Sequence, residues 1–143
     1  MKDSPMEVVI NSCFGGFSLS DAAIRRYAEL KGLNLYPEQS KYGFSTYWTV
    51  PKEERVKELP GNWHDHSVEK RREYNRKHSE QVLYDRDIAR DDPLLVQVVR
   101  ELGDEANGRC AELRIIEIPD DVDWEIDEYD GNEHITEKHR TWP

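Results

Sequence analysis

The run Met6-Glu7-Val8-Val9-Ile10-Asn11-Ser12-Cys13-Phe14-Gly15-Gly16-Phe17-Ser18-Leu19-Ser20-Asp21 decides how this chain folds. Met6 to Ile10 is a short β-rich run and reads as a strand. Asp21 to Lys31 reads as an amphipathic helix that opens on Ser20 and closes on Gly32. Ala22, Ala23, Ile24, Tyr27, Ala28 and Leu30 include its apolar stripe, and Arg25, Arg26 and Glu29 lie mainly opposite. Between strand and helix stand Gly15 and Gly16, flanked by Phe14 and Phe17 and followed by Ser18 and Ser20. A Gly-Gly turn lets a partner approach the backbone, and a helix start favours an anion. Two readings follow. The loop cradles a phosphate-bearing molecule against aromatic faces, or it is a plain turn whose Phe side chains fill the core.

A chain of 143 residues is one domain, able to bury a core without disulfide staples. Hydrophobic residues make up 36 % and charged residues 35 %, so the core is lean and part of the chain is expected to pack against something else, a second copy being one candidate. Cys13 and Cys110 each sit in or beside an apolar segment without metal-ligand spacing, which predicts two buried thiols in a reducing compartment. No apolar run approaches a membrane span and no signal-like N-terminus is present, so a soluble cytoplasmic protein is expected. The net charge of −10 is concentrated at the end of the chain, where residues 117–143 carry ten acidic groups against two basic. That balance repels nucleic-acid backbones and argues against a DNA or RNA binder.

The second half is the more legible. Asp92 caps a helix that begins at Pro93 and ends at Gly103, and its many Leu and Val residues predict extensive burial. Cys110 to Ile118 reads as a strand ended by Pro119. Trp124 to Tyr129 alternates with period two, and Asp130-Gly131 marks a hairpin whose return strand runs from Glu133 to Arg140. A short helix capped by Asn132 is the alternative to that return strand. The middle, about 38 to 90, reads as a charged excursion. Within it Tyr42 to Val50 suits a strand, Pro51 can open a short helix, and Ser67 to Tyr84 is either a solvated helix or a mobile segment. The expected fold is α+β, a small mixed sheet with a C-terminal β-hairpin and two main packed helices, in a single ligand-binding domain over residues 1–143.

Several clusters could carry chemistry. His139-Arg140-Thr141-Trp142 offers a cation, a hydroxyl and an indole, suited to phosphate and base, or else to ion pairing and core filling. Asn107-Gly108-Arg109 can present an amide and a cation, or form a turn with left-handed residues. His64 and His66 would share a face in an extended segment and could chelate a metal, but no third ligand follows. Asp85, Asp87, Asp91 and Asp92, interleaved with Arg86 and Arg90, read as a solvated charge cluster. No nucleophile elbow, Walker loop or zinc-ligand series occurs, so no catalytic residue, metal site or cofactor is assigned.

Phe14-Gly15-Gly16-Phe17-Ser18-Leu19-Ser20-Asp21, Arg90-Asp91-Asp92-Pro93, Ala106-Asn107-Gly108, Ile116-Glu117-Ile118-Pro119-Asp120, Glu128-Tyr129-Asp130-Gly131 and His139-Arg140-Thr141-Trp142 occur in that order. Together they resemble a family of small phage proteins, the Thoeris anti-defence sponges, which sequester cyclic ADP-ribose isomers made by bacterial TIR-domain enzymes. The resemblance spans both ends of the chain and leaves about 38 to 89 uncovered. It implies a non-enzymatic protein of the host bacterial cytoplasm that holds its ligand between subunits of a dimer or hexamer, with cyclic oligonucleotides at separate sites. The residues expected to bind are Phe14, Gly15, Gly16, Phe17, Ser18, Ser20, Asn107, Arg109, Arg140, Thr141 and Trp142. Arg25 and Arg26 are further expected local cations. The competing expectations are a metal-dependent nucleotide phosphodiesterase, using His64/His66 or Asp85/Asp87, and an acidic DNA mimic that inhibits a host defence protein through the carboxylates of 117–143.

Overall fold

The computed structural model describes residues 6–138. The chain forms two compact units, one from residues up to Lys31 with those from Asp85 onward, the other from Gly32–Tyr84. The fold is α+β, with a C-terminal β-hairpin. Its strands divide into three antiparallel pairs in place of one small mixed sheet.

In the first unit, β1 (Met6–Asn11) pairs antiparallel with β4 (Leu113–Ile118), Val8 opposite Ile116 and Asn11 opposite Leu113. Residues Val8 to Asn11 are all buried, a continuous run in place of alternation, because β1 is packed by both the helix α3 (Pro93–Leu102) and the strand β6 (Asn132–Glu137). Helix α1 (Asp21–Lys31) packs against α3. Ser20 caps α1, its Oγ accepting from the Ala23 N–H at 3.1 Å. Asp92 caps α3 through the Leu94 N–H at 2.9 Å, and the same carboxylate accepts the Tyr27 hydroxyl at 2.6 Å, which ties the two helices together. Strand β5 (Trp124–Tyr129) turns through Asp130 and Gly131, both at positive φ, into β6. That is the turn geometry the Asp-Gly pair favours. The return strand therefore exists, and the helical alternative over those residues is set aside.

In the second unit, β2 (Tyr36–Gln39) and β3 (Ser45–Trp48) form a hairpin. Pro51 precedes a single 3-10 turn, Lys52–Glu54. The charged stretch after Ser67 is a helix, α2 (Val68–Gln81), with Ser67 Oγ accepting from the Lys70 N–H. None of its residues is fully buried. The core here is aromatic: Trp48 meets His78 edge-on at 5.1 Å, and the Tyr84 hydroxyl lies 3.2 Å from His78 Nδ1. No helix among the described residues is long and apolar enough to cross a membrane.

Candidate functional site

The first unit brings three turns to one corner: the loop 12–20, the turn around 107–110 and the tip of the β5–β6 hairpin. Asn11, fully buried, is the pin. Its Nδ2 donates to the carbonyls of Cys13 and Gly131, both at 2.7 Å, while its Oδ1 accepts the Glu112 N–H at 2.8 Å. The Gly15 N–H donates to the Asp130 carbonyl at 3.3 Å. Gly15 has φ +135°, and a Cβ there would lie 2.6 Å from the Cys110 carbonyl oxygen, so only glycine fits.

The expected binding residues fare differently. Phe14 is 59 % exposed and stands edge-to-face with Tyr129, itself 75 % exposed, at 6.4 Å between centroids. Gly16, at φ +104°, lies against Gly131. Ser18 Oγ donates to the Arg109 carbonyl at 3.2 Å, and Ser20 Oγ donates to the Glu105 carbonyl at 2.6 Å. Both serine hydroxyl protons are therefore engaged by the loop's own architecture. Asn107 is extended and its Oδ1 accepts the Leu113 N–H at 2.9 Å, while the left-handed residue of this turn is Cys110, at φ +64°. Arg109 is exposed and forms no ion pair among the described residues. His139, Arg140, Thr141 and Trp142 lie outside the described residues.

Phe17 is not an open stacking face. The Arg90 guanidinium lies over its ring at 3.6 Å and pairs bidentately with Glu133, at 2.5 and 2.9 Å. Glu133, only 7 % exposed, also accepts the Asn11 N–H at 2.8 Å, and the Arg90 carbonyl accepts the Val9 N–H at 2.8 Å. Arg90 and Glu133 thus cover the edge of β1 that β4 leaves unpaired. The sequence alone places Arg90 in a solvated charge cluster and gives it no partner on the hairpin. The available signal was Glu133 in register with Ile135 on the strand's apolar face, where a charge requires a partner.

Other expectations need correction. The two thiols are not buried: Cys110 is exposed and Cys13 half-buried. Arg25 pairs with Asp21 at 2.8 Å, and Arg26 with Glu29 and Glu101, so neither is a spare cation. Asp85 and Asp92 are structural, Asp85 accepting the Leu19 N–H at 3.0 Å. His64 lies inside the 3-10 turn Trp63–Asp65 and His66 follows it as the C-cap, so the segment is not extended, and His66 Nε2 contacts the Pro60 carbonyl at 2.5 Å, which removes the shared face. Among the described residues no three His, Cys, Asp or Glu side chains are grouped to hold a metal ion. Comparison with protein-family models, curated proteins and solved structures finds no match to this chain.

Proposed function

We propose that the first unit captures a cyclic nucleotide signal of the cyclic ADP-ribose isomer class and holds it intact. The observation that carries this reading is the exposed Phe14–Tyr129 pair above the Gly15–Gly16 turn. Two large rings left in water at a corner pinned by buried Asn11 offer perpendicular faces to a base or ribose, with little reorganisation on binding. Arg109, exposed at the neighbouring turn and without an ion pair among the described residues, supplies the cation for phosphate. Ser18 and Ser20 act by holding the loop and not as phosphate donors.

A second copy of the chain supplies the remaining wall, which makes the working form a homo-oligomer, a dimer or hexamer. A protein that acts by stoichiometric capture needs sub-micromolar affinity, about −8 kcal/mol or better. The experiment is to mix the purified protein with the isomer, remove free ligand, denature by heat and identify what is released. Intact ligand supports capture, and a converted product identifies an enzyme.

A further inference from the structure

Helix α2 lacks an apolar stripe, and its polar face has a different use. Lys70, Tyr74, Lys77 and Gln81 follow one another at steps of four, three and four residues, with Glu73 beside Tyr74, so they share one side of the helix. That side lines a cleft of about 640 Å³ whose opposite wall is the segment 54–59. The volume falls within the roughly 300–1,000 Å³ of small-molecule sites. Gln81 fixes the two walls: its Oε1 accepts the Val56 N–H at 2.7 Å and its Nε2 donates to the Glu54 carbonyl at 3.0 Å.

The charge of the cleft runs against that of the chain. Residues 32–84 hold nine basic and eight acidic groups, while the rest of the sequence holds 11 and 22. Within the cleft Lys77 lies 3.3 Å from Glu73, and Arg55 is bonded to Glu38 and stacked over Trp48. Lys57 on one wall and Lys70 on the other make no ion pair among the described residues. Glu54 also lines the cleft, and Glu58 acts electrostatically on Tyr74, so the excess is modest and local. Val56, Leu59 and Tyr74 supply apolar surface. Burial, reinforced by Glu58, raises the Tyr74 phenol above its ordinary range, so the ring stays neutral beside an anion.

We propose that this cleft binds a small organic phosphate, with the Lys57 and Lys70 ammonium groups bracketing the phosphate and Leu59 and Tyr74 taking the organic part. The site is built wholly from residues 54–81 and is independent of the capture reading above. The test is calorimetric titration of the full chain, at low ionic strength, with adenosine diphosphate and with inorganic pyrophosphate. The expected result is a Kd for adenosine diphosphate below about 1 mM, weaker binding of pyrophosphate, and a loss of about tenfold or more in K57Q/K70Q. K57R/K70R should retain binding, K52Q/R114Q should match the parent, and F14A/Y129A should match it too, which separates this cleft from the Phe14 corner. No binding of adenosine diphosphate, or equal affinity in K57Q/K70Q, overturns the proposal. Pyrophosphate binding as tightly as the nucleotide overturns the assignment of an organic phosphate.

Discussion

Arg90 grips Glu133 through its two terminal guanidinium nitrogens while its flat face covers Phe17, so one side chain joins the loop, the hairpin and the edge of β1. The arrangement converts an exposed strand edge into a sealed one without adding a strand. It also explains why a carboxylate is buried in the most acidic part of the chain. Glu133 receives the Asn11 N–H that a neighbouring strand would otherwise have accepted.

Removing one partner should cost far more than removing both. Arg90→Met leaves Glu133 buried without its counter-charge, and a loss of about 3 kcal/mol in urea unfolding is expected. The double variant R90M/E133L should recover much of that loss. A single variant as stable as the parent would show that the pair does not hold the corner.

Tyr27→Phe deletes the hydroxyl that links α1 to the cap of α3, and should cost about 1.5 kcal/mol. Burial, then the hydrogen bond to Asp92, raises the Tyr27 phenol far above its ordinary value of 10.0. A raised folded value means the stabilisation is full below pH 10 and fades as pH climbs toward the folded value. The parent should therefore lose stability on the alkaline side more steeply than Tyr27→Phe, as measured by thermal melts across that range.

The Glu101 carboxyl is drawn down from 4.5 to about 2, first by its hydrogen bond from Arg26 and then by that from Gln97. A lowered folded value gives stability that is present above pH 4.5 and lost as pH falls toward 2. Glu101→Gln should be less stable than the parent at neutral pH and converge with it as pH falls toward 2, which flattens that part of the acid-unfolding profile. An unchanged acid limb would contradict the assignment.

Close backbone approach at the corner makes its glycines intolerant. A Cβ on Gly108 would sit 2.7 Å from the Ser18 carbonyl carbon, and one on Gly131 would sit 2.7 Å from the Gly15 nitrogen, at a φ of +88°. Gly108→Ala and Gly131→Ala should each destabilise by about 1–3 kcal/mol and shift the amide resonances of residues 13–18. Gly61→Ala, with open space around its Cβ but φ +75°, should leave those resonances in place.

Elements with strong local punctuation were legible before any coordinates. Ser20 and Gly32 frame α1, Asp92-Pro93 and Gly103 frame α3, and Asp130-Gly131 turns the hairpin. The strand β2, carrying Pro37, was missed, because proline argues against a paired strand unless the strand lies at an edge, as this one does. Helix α2 was ambiguous because it is held by the Ser67 cap, by polar contacts through Gln81 and by the rings of Tyr74 and His78, which leave no apolar period. At the corner, the Gly15–Gly16 turn was legible from the loop, while the sequence left open whether Phe14 and Phe17 face solvent or the core. Tyr129, Arg90 and Glu133 come from far along the chain, and sequence spacing carries no record of that meeting.

A ligand surface at the Phe14–Tyr129 corner, as proposed, loses affinity and keeps its fold when both rings are removed. The most direct measurement is equilibrium binding of a cyclic ADP-ribose isomer to the parent and to F14A/Y129A, with unfolding curves for both. The account predicts sub-micromolar binding by the parent, a loss of at least about 2 kcal/mol in the variant, and unfolding midpoints that nearly coincide. Equal affinity in the two proteins, or no binding by the parent at all, would contradict it.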